Sequence, residues 1–295
     1  MNMNIFDLPR TEEESIIFLQ NKGILPKERV CPNGHHAKLY FGNRIFWKCT
    51  VKSCLKRVNI RTGTWFTDTR LPFVTGVRFF YSWAFELTSI QWCERELQIA
   101  KHTAVDWNLY MRSACVEALE LREKKKIGGD GLIVEIDESL FTKRKNNAGR
   151  ILPPQWIFGG LCRETNNCFL IQVPDRRATT LINAIKDNIA EGSIIFSDSW
   201  RGYKSDELEQ AGFEHFKVNH RFHFVDPHNG AHTQNVERMW GSAKWRNKKQ
   251  RGTARQHMES YLAEFMWRQT IRNKDPFDSI LDLIKTYSPP EINYK

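Results

Sequence analysis

Residues 131–139 read GLIVEIDES, an apolar run that turns acidic at its end. A run this apolar is a buried strand, and a carboxylate inside it costs free energy unless it is paired or binds a cation. Residues 194–200, IIFSDSW, repeat the pattern with Asp198 in place of Asp137. Side chains alternate along a strand, so Glu135 and Asp137 share one face and Glu138 points to the other. Asp137 is the first candidate acid, because Glu135 lies deeper in the strand. Two neighbouring strands bearing acids at equal depth set two carboxylates side by side. Like charges that close repel, and a divalent cation relieves them. Ligands made only of oxygen at an open site suit Mg²⁺ or Mn²⁺.

The surrounding pattern supplies the rest of a domain. QWIFGGLCR (155–163) and CFLIQVPD (168–175) are further strands, TTLINAIKDNIAEGS (179–193) is an amphipathic helix, and FEHFKVN (213–219) is another strand. Three meandering strands, a helix, then a strand ending in an acid give an α/β fold, a mixed sheet flanked by helices in the order of a ribonuclease-H-like core. A third acid, Glu237, is the only carboxylate in the basic, Trp-bearing segment GAHTQNVERMWGSAKWR (230–246). On a helix packed against the sheet it completes a set of three carboxylates. Such a set holds two metal ions that activate a water or a 3′-hydroxyl for phosphodiester displacement.

At this point the residues carry a resemblance. VEIDES, SDSWRGY, FVDPHNGAHTQNVERMWGSAKWR and YLAEFMWR, spread over 131–270, resemble the DDE transposases of the Merlin superfamily and their bacterial insertion-sequence relatives. The resemblance implies cut-and-paste DNA transposition, with Asp137, Asp198 and Glu237 as the catalytic triad and ligands of two Mg²⁺ or Mn²⁺ ions. Lys244 lies two helical turns after Glu237, on the same side, where it can hold a DNA phosphate. His232 and Asn235 precede Glu237 and orient either the scissile phosphate or the helix start. Arg246 and Lys248, in the basic run KWRNKKQR, are candidate backbone contacts.

The N-terminal part reads differently. Cys31-x₃-His35 and Cys49-x₄-Cys54 are two close ligand pairs separated by β-like sequence, the pattern of a tetrahedral structural Zn²⁺. Related transposases show C-P-x-C in the first knuckle; here Gly34 takes the place of the second Cys, and His35 or His36 substitutes. SIQWCEREL (89–97) and the helix after it read as helix, turn, helix. A helix-turn-helix unit lays its second helix in the major groove, which puts Lys101, His102 and Arg112 near double-stranded DNA.

Composition agrees with a polyanion partner. The 295 residues carry 44 Lys and Arg against 34 Asp and Glu, a net charge of +10. Seven Cys in a chain of this length are no disulfide framework. No apolar run is long enough to span a membrane, and MNMNIFDLPRTEEES has no signal-peptide pattern, so an intracellular, DNA-associated protein is expected, nuclear if the host is eukaryotic. The expected organisation is a helical segment (1–27), a zinc-ribbon-like DNA-binding module (28–70), a helix-turn-helix region (71–127), the catalytic domain (128–273) and a C-terminal tail (274–295). Handling two transposon ends and a target together calls for a homodimer or larger homo-oligomer. The rival reading is a domesticated, inactive DNA-binding regulator derived from such an enzyme, and a structure-specific nuclease is a second.

Overall fold

The computed structural model describes residues 3–42, 44–121, 125–141, 155–200, 202–219, 225, 230–245 and 255–286. They fall into two compact units, 1–118 with 271–295, and 119–270. Among the described residues no helix is long and apolar enough to cross a membrane.

In the first unit, helix α1 (Glu12–Asn21) starts where the Thr11 hydroxyl accepts the Glu14 N–H at 3.2 Å. Four short strands follow, β1 (Arg29–Val30), β2 (His36–Tyr40), β3 (Phe46–Cys49) and β4 (Arg57–Asn59), paired antiparallel in sequence order. Helices α2 (Phe73–Ala84), α3 (Ile90–Glu96) and α4 (Lys101–Glu120) complete the N-terminal part. Within the expected C-terminal segment from 274, Pro276–Thr286 form a helix. Its buried stripe, Phe277, Ile280, Leu281 and Ile284, recurs at helical spacing and needs a core to cover it. Phe277 stacks on Phe18 of α1 and meets Tyr81 of α2 edge-on, with ring centroids 6.1 and 5.2 Å apart.

The second unit is built on a five-stranded sheet. Its chain opens with a short strand, β5 (Ile127–Gly128), and then β6 (Ile133–Leu140), β7 (Trp156–Cys162) and β8 (Cys168–Val173) form an antiparallel meander. Helix α5 (Ala178–Asn188) carries the chain across, and β9 (Ile189–Ala190) pairs in parallel with β5 beside the main sheet. Strand β10 (Ile194–Asp198) lies parallel to β6, and the short helix α6 (Ser205–Gln210) leads to β11 (Glu214–Val218), parallel to β10. The strand order is β11-β10-β6-β7-β8. This mixed α/β topology is that expected of a ribonuclease-H-like core.

Both faces of the sheet are covered. Val134, Ile136, Phe158 and Ile195 pack with Leu181, Ile182 and Ile185 of α5. On the opposite face, α7 (Gln234–Ala243) lays down Val236, Met239 and Trp240, an i, i+3, i+4 stripe, and α8 (Met258–Thr270) adds Met258 and Leu262. Each such side chain taken out of water stabilises the fold by roughly 1.5–3 kcal/mol.

The approach of α7 to the sheet depends on one glycine. A Cβ at Gly159 would stand 2.8 Å from Cζ2 of Trp240 and 2.7 Å from Cδ2 of Leu170. Gly159 pairs with Asp137 in the β6–β7 ladder, so the Trp240 ring rests beside that acid. Gly159→Ala should therefore destabilise by about 1–3 kcal/mol through overpacking. Among the described residues nothing lies within 4 Å of the Cβ position of Gly241, within α7, and Gly241→Ala should stabilise by roughly 0.5–1 kcal/mol. Thermal melts of the two variants should move in opposite directions.

Candidate active site

The three predicted acids come from three elements. Strand β10 runs beside β6 with Ile194 opposite Ile133 and Phe196 opposite Glu135. Continued by two residues, that register sets Asp198 beside Asp137. Both project from the face that α7 covers, since Phe196 and Glu135 lie on that face and the period is two. The backbone ties each carboxylate: Asp137 Oδ1 accepts the Glu138 N–H at 2.8 Å, and Asp198 Oδ1 accepts the Trp200 N–H at 3.0 Å. Glu237, in the first turn of α7, is exposed and accepts the Thr233 hydroxyl at 3.1 Å. Burial pushes the Asp137 carboxyl up to about 7, and the charges of Glu138, Asp198 and Glu237 add to the effect. Acids that share one field in this way match the donor set of a hard divalent cation. Glu138, on the other face, is also raised by burial.

Glu135 has a different place. It is wholly buried and bonded to Arg163, the residue after β7, at 2.5 Å. The Asn235 side-chain amide donates to it at 2.7 Å, and His232 Nδ1 lies 3.4 Å away. Of the two roles expected for Asn235 and His232, these contacts favour the helix start over DNA: both lie against Glu135 where α7 begins. Burial and the adjacent Arg163 lower the His232 pKa, against an opposing pull from Glu135. Lys244 caps the end of α7, where its ammonium donates to Ser139 Oγ and lies 5.3 Å from the Phe141 ring centroid. Ser139 follows Asp137 by two on the same face of β6, so Lys244 brings a cation to the acid-bearing edge. Trp240 is core and Trp245 is exposed. Arg246 and Lys248 lie outside the described residues.

In the first unit, Lys101 and His102 are exposed on the first turn of α4. The turn before them leaves Gln98 at φ +53°. Arg112, expected at DNA, is buried instead, at 8% exposure. It falls beside Met111 and Cys115 on the stripe that packs inward, so it offers no surface to a groove.

The Cys and His pairs converge. Cys31 Sγ, His35 Nδ1, Cys49 Sγ and Cys54 Sγ all lie within 4.8 Å of one another. Cys31 and Cys54 sulfurs are 3.7 Å apart, and His35 Nδ1 is 3.7 and 3.6 Å from the Cys31 and Cys49 sulfurs. A tetrahedral ion with bonds of about 2.3 Å to sulfur requires sulfur–sulfur edges of roughly 3.8 Å, so the residues fit zinc. The structure chooses His35 over His36, whose exposed side chain leaves on β2. Gly34 makes this possible: at φ +78° it closes the knuckle, donating its N–H to Cys31 O at 2.8 Å. The Cys54 thiol is lowered to about 6 by the Lys56 N–H and by His35, which favours the thiolate a metal takes.

Sequence reasoning missed Glu135 and Arg163 as partners. The only signal was a second buried acid on the Asp137 face, which demanded a cation; nothing local pointed to Arg163.

The raised Asp137 pKa fixes a sign. A carboxyl that ionises near 7 in the fold and near 4 unfolded binds its proton more tightly when folded. Its ionisation therefore removes stability as pH rises from about 4 to about 7. In chelator at pH 8, Asp137→Asn should melt above wild type, by up to roughly 4 kcal/mol of stability, and the difference should vanish near pH 4. Equal melts at pH 8 would refute the crowding.

Residues 127–270 match the ISXO2-like transposase domain. A transposase-like protein of Haemophilus influenzae is 33% identical over 100 residues, which cover 34% of this chain and 78% of that protein. Among solved structures, a chain of the simian T-cell lymphotropic virus intasome in complex with PP2A regulatory subunit B56 gamma is 16% identical. That match covers 49% of this chain and 50% of that one, with a TM-score of 0.33. The HTLV-2 integrase catalytic core domain in complex with magnesium is 12% identical, covers 49% of this chain and 88% of that one, and has a TM-score of 0.32. The sequence matches support a transposase and do not single out the Merlin superfamily. The chain belongs with the transposase-like proteins, and its residues 127–270 match the ISXO2-like transposase domain.

Proposed function

We propose that this chain is a DNA transposase that binds the terminal inverted repeats of its element, cleaves DNA at the element's ends and joins the freed 3′-hydroxyls to target DNA. The observation that carries the reading is the β6–β10 register, which sets Asp198 beside Asp137 on the face covered by α7, the helix that bears Glu237 in its first turn. These three would hold two Mg²⁺ or Mn²⁺ ions, which would neutralise phosphate charge and stabilise the attacking and leaving oxygens. In cleavage, a water oxygen bonds to phosphorus as the P–O3′ bond breaks and the departing oxygen takes up a proton. In joining, the freed 3′-hydroxyl oxygen bonds to a target phosphorus as another P–O bond breaks. One bond forms and one breaks each time, so a single site serves both. Lys244 offers its ammonium to a phosphate oxygen beside Asp137. Lys101 and His102, exposed at the start of α4, would contact the repeat. Cys31, His35, Cys49 and Cys54 would hold a structural Zn²⁺. Within the transposases, we place the chain near the Merlin superfamily on the stretches VEIDES, SDSWRGY and GAHTQNVERMW. It would act as a homodimer or larger assembly on double-stranded DNA, in a nucleus if the host is eukaryotic.

The test is cleavage of a labelled duplex carrying the inverted repeats that flank the gene, in Mg²⁺, in Mn²⁺ and in chelator. Wild type should cleave at the repeat boundary with either metal. Asp198→Asn should lose at least about 100-fold, as expected for several kcal/mol of transition-state stabilisation. Tight binding with no cleavage in any metal would leave only a DNA-binding regulator. Elemental analysis should find one zinc per chain, lost in Cys49→Ser together with thermal stability and repeat binding. Zinc-free wild type would remove the zinc assignment.

A further inference from the structure

Glu135 is wholly buried, ionisable and unused by the proposed chemistry. Its Oε2 accepts the backbone N–H groups of Asn235 at 2.8 Å and Val236 at 3.0 Å, and its Oε1 accepts the Asn235 side-chain amide. These are donors of the first turn of α7, and Glu237 is the next residue. Helices that start free of tertiary help use a side chain of their own as cap. Here Thr233, at the cap position, makes no such bond, and its hydroxyl goes to Glu237. The cap of α7 is supplied from the sheet.

We propose that Glu135 is a positioning residue: it fixes the start of α7, and so the place of Glu237, against the strand that also carries Asp137. The inference rests on the transposase reading of the three acids. Two adjacent N–H groups held by one carboxylate oxygen set both the height and the rotation of a first helical turn. Glu135 and Asp137 are two apart on one face of the central strand, so one short length of backbone spaces both acids. Arg163 extends the grip. Its guanidinium binds Glu135, donates to His232 O at 2.9 Å just before the helix, and lies 4.6 Å from the ring centroid of Phe196, two residues before Asp198. All three acid-bearing elements thus meet at one ion pair.

The experiment compares full-length wild type, Asn235→Ala and Glu135→Gln. Single-turnover cleavage of the labelled repeat duplex is followed against Mg²⁺ concentration, beside DNA affinity and thermal melts. Asn235→Ala should fold and bind DNA as wild type does, and should raise the Mg²⁺ midpoint or lower the saturated rate about tenfold. Glu135→Gln should lose roughly 100-fold, the range seen when a support of a metal ligand is removed. Wild-type midpoint and rate in either folded variant would overturn the proposal. If Glu135→Gln fails to fold, Asn235→Ala decides alone. Calorimetry with Mn²⁺ on DNA-free protein separates the two claims. If wild type binds Mn²⁺ without cleaving, the transposase reading fails, and a weakened Mn²⁺ affinity in Asn235→Ala still upholds the positioning role. If Asn235→Ala binds Mn²⁺ as tightly as wild type, or wild type binds none, the positioning role fails.

Discussion

A carboxylate removed from water must find its compensation inside the protein, and Glu135 finds it in Arg163 and in the first turn of α7. A buried ion pair is a poor source of net stability, because desolvation of both charges offsets most of their attraction. Its use is geometric. Removing either partner strands a charge, so the pieces that bring the partners together are locked into one arrangement. Here those pieces are β6, the turn after β7, and the segment entering α7, which lie far apart in sequence. The close seat of α7 on the sheet, with Trp240 over Gly159, depends on that lock and reinforces it through apolar contact.

The fold is built to tolerate electrostatic load. Asp137, Asp198 and Glu237 are held by backbone and hydroxyl donors, yet burial and mutual repulsion still raise Asp137 to about 7. Apolar packing on both faces of the sheet carries this load.

Strands and acids were legible because their signals are local. GLIVEIDES and IIFSDSW announce buried strands by composition, and the period of two alone assigns Asp137 and Asp198 to a face. The Cys and His pairs were legible for the same reason: ligand spacing is a local property. What failed depended on partners distant in sequence. Arg112 was expected near DNA with Lys101 and His102, yet its helical phase beside Met111 and Cys115 buries it. For Asn235 and His232 the basic segment left two roles open, because their partner Glu135, an acid of the central strand, lies far upstream. For the helix Pro276–Thr286 the sequence did not show what covers its stripe, because α1 and α2 lie at the other end of the chain.

That last helix has a consequence for how the protein is made. The first unit is discontinuous, with residues 119–270 inserted between its larger part and its closing helix. On the ribosome, α1 and α2 emerge early, but Phe18 and Tyr81 must wait for Phe277. The transposase domain has all its strands and helices in hand before the unit that precedes it is complete. Folding therefore runs inside out along the chain. A premature stop or frameshift just before Pro276 would leave the inserted domain whole while opening the core at the opposite end of the gene.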